Sequence, residues 1–274
     1  MCTESNPTDG GMESMKCYEV MERLEELSPT MYAEEWDNVG LLVGRREKEV
    51  RKIYVALDAT DEVIEEAVKI QADMLLTHHP LIFSPVSRIQ SDDYIGRRIL
   101  RLARHDIACY AMHTNFDIMG MADAAADEIG LKKREVLNIT YEDDIAKEGI
   151  GRRGKLPHIM TLGECAEHVK QCFHIDRVKV FGDMEATVED AAVSPGSGKS
   201  VVKDAVAAHV DVLITGDIDH HTGIDANEQG LYIIDAGHYG IEKIFIAYIK
   251  EYLRRELPEM VIYTHPISAP FVIV

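Results

Sequence analysis

Residues 53–77, IYVALDATDEVIEEAVKIQADMLLT, read as one β-α-β unit: Ile53 to Leu57 is strand-like, Asp61 to Ile70 helical, and Met74 to Thr77 a second strand. Laid without gaps over residues 191–215, AAVSPGSGKSVVKDAVAAHVDVLIT, the unit matches at Val55/Val193, Val63/Val201, Ala67/Ala205, Val68/Val206, Asp73/Asp211, Leu75/Leu213 and Thr77/Thr215. Chance and shared β-α-β grammar supply some of these identities, and the remainder points to an internal duplication. The alternation continues outward from both copies. The first is followed by a helix over Asp93 to Arg104 and a strand over Ile107 to Met112, and preceded by Val20, Leu24 and Leu27 at helical spacing up to Ser28-Pro29. Later strands are expected near Val178 to Phe181, Asp190 to Val193, Val212 to Thr215 and Leu231 to Asp235. Such alternation predicts an α/β fold of two related halves. They are expected over 15–130 and 131–274, with the C-terminal segment packing back on the first, behind a disordered tail at 1–14. Met15 is an alternative functional start.

The chain of 274 residues is 46% hydrophobic and long enough to bury a sizeable core. It has no apolar run of membrane-spanning length and no secretory leader, so the expected compartment is cytoplasmic. Five cysteines, an odd number without a Cys-x-x-Cys pair, predict reduced thiols. A net charge of -19 excludes nucleic-acid binding through a broad basic surface, yet a small anionic substrate remains compatible. Two divalent ions bring more positive charge than two carboxylate ligands remove.

Three stretches place imidazoles and carboxylates where strands end: Thr77-His78-His79-Pro80, His113-Thr114-Asn115-Phe116-Asp117, and Gly237-His238-Tyr239-Gly240-Ile241-Glu242. Mixed nitrogen and oxygen ligands suit a divalent first-row metal, and so many exceed the needs of one tetrahedral ion, which predicts a two-metal site. Adjacent His78 and His79 point to opposite sides of an extended segment, so one histidine per ion is expected. Alone, such a pair also serves as a loop cap. Glu242, four residues beyond His238, either bridges two ions or merely favours a helix dipole. Asp117, read as the only carboxylate near the first half's strand end, is a ligand or a turn aspartate. His113 is a ligand or a group hydrogen-bonded to one, and a candidate proton shuttle together with His221. His221 is expected near the pocket and His220 on the surface. Ser194-Pro195-Gly196-Ser197-Gly198-Lys199-Ser200 ends like a phosphate-binding loop, but Val193 stands where the first glycine is required. Trp36 is a lone tryptophan in a polar turn, read as packing or lining a subunit contact.

Taken in order, Glu34-Glu35-Trp36-Asp37-Asn38-Val39-Gly40-Leu41, Leu57-Asp58-Ala59-Thr60, Thr77 to Phe83, His113 to Asp117, Ile214-Thr215-Gly216-Asp217 and Asp235 to Glu242 resemble the NIF-three-like family, type 2 GTP cyclohydrolase I homologues. The resemblance runs from about Tyr18 to Val274. It implies metal ligands at His78, His79, Asp117, His238 and Glu242, with Glu242 bridging two ions of zinc, iron, manganese or nickel. It also implies interlocked halves with mixed sheets and a toroidal homohexamer. The expected activity is metal-dependent hydrolysis of a nucleotide or phosphoester. The rival expectation is a non-catalytic metal-binding interaction or regulatory scaffold.

Overall fold

The computed structural model describes residues 14–274, so the expected tail, apart from Ser14, lies outside the described residues. The first half runs α1 (Cys17–Leu27), β1 (Gly40–Val43), β2 (Lys52–Ala56), α2 (Asp61–Lys69), β3 (Met74–Thr77), α3 (Tyr94–Arg104), β4 (Ala108–Ala111) and, after a helical turn at Thr114–Phe116, α4 (Ala122–Glu128). The second runs β5 (Lys132–Glu142), β6 (Lys147–Thr161), α5 (Leu162–Cys172), β7 (Lys179–Phe181), β8 (Thr187–Ser197), α6 (Val202–Ala207), β9 (Val212–Gly216) and α7 (His220–Glu228). It closes with β10 (Tyr232–Asp235), the short α8 (His238–Glu242), α9 (Ile244–Glu256) and β11 (Val261–Thr264).

Two mixed sheets result, ordered β11-β2-β3-β4-β1 and β5-β6-β8-β9-β10-β7. Strands β2 to β4 pair in parallel, as do β8 to β10, and each trio carries an antiparallel edge strand, β1 on β4 and β7 on β10. Helices cover both faces, which is why β3 and β4 are buried at every position and read as continuous apolar runs. The Thr60 side chain accepts the Val63 amide to start α2, and acidic Asp61 and Glu62 favour the positive end of that helix.

The two copies agree in detail. Ile53, Tyr54 and Val55 pair with Met74, Leu75 and Leu76, while the aligned Ala191, Ala192 and Val193 pair with Val212, Leu213 and Ile214. Asp73 accepts the amides of Arg51 and Lys52, and Asp211 those of Glu189 and Asp190. Gln71 and His209, also aligned, both adopt positive φ, at 55° and 52°. A duplicated unit would give this correspondence. It breaks at the ligands. Met112 donates its amide to Thr77 as Ala236 does to Thr215, so His113 corresponds to Gly237, and His238 to Thr114. The motifs His113-x-x-x-Asp117 and His238-x-x-x-Glu242, expected to match, stand one residue out of step.

Each half also sends its last helix into the other. Ala125 and Ala126 of α4 join the core of Val169, Val193, Ile214 and Ile234. Phe245, Ile249 and Leu253 of α9 join that of Leu24, Val55, Leu76 and Tyr110, beside which β11 pairs with β2. A cut at 130/131 therefore divides the sequence but not the cores. The long β5–β6 hairpin was not expected from sequence, because its glycines weaken a strand signal. Gly149 is required there because a side chain would collide with the Asn138 carbonyl across the ladder. Among the described residues no helix is long and apolar enough to cross a membrane. The described cysteines, Cys17, Cys109, Cys165 and Cys172, are free thiols.

Candidate metal centre

His78 and His79 follow the C-terminal end of β3, His113 that of β4, and Gly237 turns β10 into α8, which carries His238 and Glu242 on one face. The carboxyl ends of parallel strands thus converge at the seam between the sheets, where open α/β folds bind ligands. Every imidazole is held by its outer nitrogen. Nδ1 of His78 donates to the Met112 carbonyl at 2.7 Å, that of His79 to Asp58 at 2.8 Å, and those of His113 and His238 to Asp37 and Asp217, each at 2.9 Å. With a proton fixed on each Nδ1, all four Nε2 atoms turn inward, the orientation that metal-binding histidines are given by such partners.

Three overlapping groups could hold a metal ion, their ligand atoms within 4.8 Å of one another: His78, Asp117 and Glu242; His79, His238 and Glu242; and His78, His79 and His113. Nε2 of His78 lies 3.5 Å from Asp117 Oδ1 and 3.6 Å from Glu242 Oε1, too far for hydrogen bonds. The spacing instead suits ligands sharing one ion, since two bonds of ~2.1 Å at a tetrahedral angle put their atoms about 3.4 Å apart. Glu242 Oε2 faces the other group, 3.0 Å from His79 Nε2 and 2.9 Å from His238 Nε2. His78 Nε2 and Asp117 Oδ1 are buried without a hydrogen-bond partner, and Glu242 Oε2 has only the imidazoles of His79 and His238 beside it. Leaving one buried polar atom unsatisfied costs about 1–3 kcal/mol, so two such atoms beside a buried carboxylate mark a place suited to a cation. The Nε2 atoms of His79 and His238, 3.2 Å apart, would also repel as two lone pairs unless a proton or an ion lay between them.

The titration behaviour agrees. Burial alone would lower His79, but Asp58 and Glu242 outweigh it and hold its pKa up at about 10. Burial opposes protonation of His238 too, yet Glu242 and Asp217 raise it to about 9. Burial and then the Glu242 charge push Asp117 well above the usual carboxylate range, whereas the histidines keep Glu242 ionised against its own burial. A raised histidine pKa means a proton is bound at neutral pH and must leave when an ion enters. Affinity is therefore expected to rise with pH and level off above about 10, with about one to two protons released per ion at pH 7.5. Calorimetry in buffers of different ionisation enthalpy measures that release. Affinity unchanged between pH 6 and 9 would contradict it.

All five expected ligands meet here, and His113 sits beside them with its ring centroid 5.2 Å from that of His78. His79 and His78 are likewise 4.9 Å apart, both facing the seam although adjacent in sequence. His221 lies outside these groups. It is exposed at the start of α7 against the ring of His220, while Asp219 caps that helix by accepting the Thr222 amide. Asp117 is not the only carboxylate near the first half's strand ends, since Asp37 and Asp58 hold His113 and His79. Asp37 also accepts from the Thr114 amide and hydroxyl, and these bonds with His113 outweigh burial and bring its pKa down to about 2.

Two more residues shape the centre. Gly196, at φ 74°, lies against the carboxylate, and a Cβ there would come within 2.5 Å of Glu242 Oε1. Arg152, buried in the hairpin, binds Asp123 and donates to the Ile118 carbonyl at 3.1 Å. Ile118 belongs to the wide π turn Asp117–Met121, whose looser bonding frees carbonyls and leaves this one for the guanidinium. Arg152→Met should destabilise the fold by about 1–3 kcal/mol, because it orphans the buried Ile118 carbonyl, while the half-exposed Asp123 stays solvated. It should also weaken metal binding at the Asp117 group more than at the group of His79 and His238. Denaturant melts and metal titration check both effects.

The cluster opens into a cleft of about 710 Å³ lined by Trp36, His113, Asn138, Ser197, Lys199 and Ser200 among others. On its other side His79 reaches a cavity of about 560 Å³ bordered by Asp58, Phe83 and Arg98.

Comparison with known proteins places the chain among relatives. Residues 15–269 match the family model Duf34/NIF3 (NGG1p interacting factor 3). The chain is 36% identical over 253 residues to a GTP cyclohydrolase 1 type 2 homolog of Clostridium acetobutylicum, covering 92% of this chain and 94% of that one. A Bacillus cereus protein related to NIF3 superimposes with a TM-score of 0.87 at 26% identity, over 96% of this chain and 100% of the other. The reduced HcgD of Methanocaldococcus jannaschii gives 0.81 at 33% identity, over 93% and 99%.

Proposed function

The chain belongs to the Duf34/NIF3 (NGG1p interacting factor 3) family, and on that premise we propose that it is a dinuclear divalent-metal-dependent hydrolase of nucleotides or other phosphoesters. The observation that carries the reading is the pair of buried, unpartnered atoms on His78 and Asp117, with the Glu242 carboxylate between them and the inward-facing Nε2 atoms of His79 and His238. His78 and Asp117 would hold one ion, His79 and His238 the other, and Glu242 would give one oxygen to each. Zinc, iron, manganese and nickel all accept such imidazole and carboxylate donors. Bound there, divalent ions would supply Lewis acidity that polarises a phosphoryl oxygen and acidifies water. The chain's own groups do the rest. Asp37 fixes His113 through Nδ1, leaving Nε2 to take up a proton and pass it to a leaving oxygen. The ionised Asp37 steadies the imidazolium that forms. Lys199 and the cleft serines offer donors to an anion.

The name of the Clostridium relative makes GTP the first substrate to try, and simple phosphodiesters the second. The test is product analysis on both with protein of measured metal content. Turnover that depends on metal supports the reading. Fully loaded protein inert toward both sinks it for these substrates and favours the metal-binding scaffold. We also propose a homohexamer, which light scattering tests; a monomer at micromolar concentration would overturn that proposal.

A further inference from the structure

Trp36 and Phe83 are large aromatic side chains left 58% and 57% exposed beside the cluster of imidazoles and carboxylates. Their ring centroids are 5.7 Å apart, and both rings stand against His113, at 6.0 and 6.3 Å. The segments that carry them are anchored to the metal centre. Asp37, next to Trp36, holds His113 and Thr114; the Glu34 amide donates to the Thr114 hydroxyl; and the Asn38 side chain donates to the Ile82 carbonyl, next to Phe83. The backbone on either side of the rings is thus held in place, which lowers the entropy cost of using them. Trp36 shares its cleft with Lys199, Ser197 and Ser200, and the volume of about 710 Å³ is that of a small-molecule site. Among the described residues Lys199 is tied only by an exposed pair with Asp219 at 2.7 Å, a contact easily exchanged for a ligand.

We propose that Trp36 in the cleft and Phe83, against it at the border with the neighbouring cavity, form a stacking platform for the planar heteroaromatic ring of a phosphorylated substrate, with Lys199, which lines the same cleft as Trp36, receiving its phosphate. This subsite rests on the reading of the cluster as a phosphoester-hydrolysing centre, and it narrows the substrate to compounds that carry such a ring. A bare sugar phosphate leaves the platform empty. Aromatic faces accept any base, so the platform selects for a ring rather than for one base.

Trp36 is the single tryptophan of the chain, so its fluorescence reports stacking without any turnover. The full chain is titrated with guanosine 5′-monophosphate and, separately, with ribose 5-phosphate. Saturable quenching by the nucleotide and none by the sugar phosphate is the expected result. Phe83→Ala should weaken nucleotide affinity roughly 5- to 150-fold, the range of one lost base-stacking contact. Lys199→Gln should weaken it while leaving the nucleotide's advantage over the nucleoside smaller. Equal quenching by both compounds, or none by either at millimolar concentration, overturns the platform. Hydrolysis of a simple phosphodiester without quenching by the nucleotide would also overturn it while leaving the hydrolase standing. Quenching without turnover would leave the platform standing and count against the hydrolase.

Discussion

Glu242→Ala is expected to empty both metal positions at once, whereas loss of any other single ligand should empty mainly one. Glu242 is 2% exposed, and its two oxygens face different groups: Oε1 toward His78, Oε2 toward His79 and His238. Removing an outer partner of a metal-bound histidine typically costs ten- to a hundredfold in affinity. Loss of a shared ligand should cost more than about a hundredfold for each ion. Asp58→Ala, which frees only the outer nitrogen of His79, should stay within about ten- to a hundredfold and affect one ion. Metal analysis after dialysis against a weak chelator separates the variants. An E242A protein that keeps either ion at full occupancy would remove Glu242 from its shared role.

Gly196→Ala should be nearly as damaging to the centre, although it adds a single carbon to a cleft wall. Two causes act together. The backbone there is left-handed at φ 74°, which costs a side-chain-bearing residue roughly 1–2 kcal/mol, and the added Cβ would sit 2.5 Å from Glu242 Oε1. The strain alone lowers the melting temperature by about 2–8 °C in a protein of this size. The collision does more for function, because α8 can relieve it only by withdrawing the carboxylate from between the two groups. Weak metal retention with an intact circular dichroism spectrum is the expected signature. Full retention would mean that Glu242 can shift without consequence.

Local chemistry made much of this architecture legible in advance. The β-α-β unit at 53–77 and its counterpart at 191–215 show in the sequence because their apolar residues and the aligned Asp73 and Asp211 perform the same local bonds in both. His238 and Glu242 were readable as a pair because one helical turn aligns them. What stayed hidden depends on distant parts of the chain. Asp37 reaches His113 across 76 residues, and Asp58 and Asp217 each reach their histidine across 21. Gly196 was read as part of a failed phosphate loop, since only the approach of α8 shows what it must avoid. The exchange of α4 and α9 between cores leaves no local trace either, as each helix keeps the same apolar spacing whichever sheet receives it. The one-residue offset between the two ligand motifs emerges only from the strand register.

One seam is expected to hold two ions with Glu242 between them. The most direct measurement is a crystal structure of protein purified without added metal and then soaked in zinc, with anomalous scattering recorded at the zinc edge. Two anomalous peaks per chain are predicted, one beside His78 and Asp117 and one beside His79 and His238, each against a different oxygen of Glu242. A single peak, or peaks elsewhere with Glu242 turned away, would contradict the account.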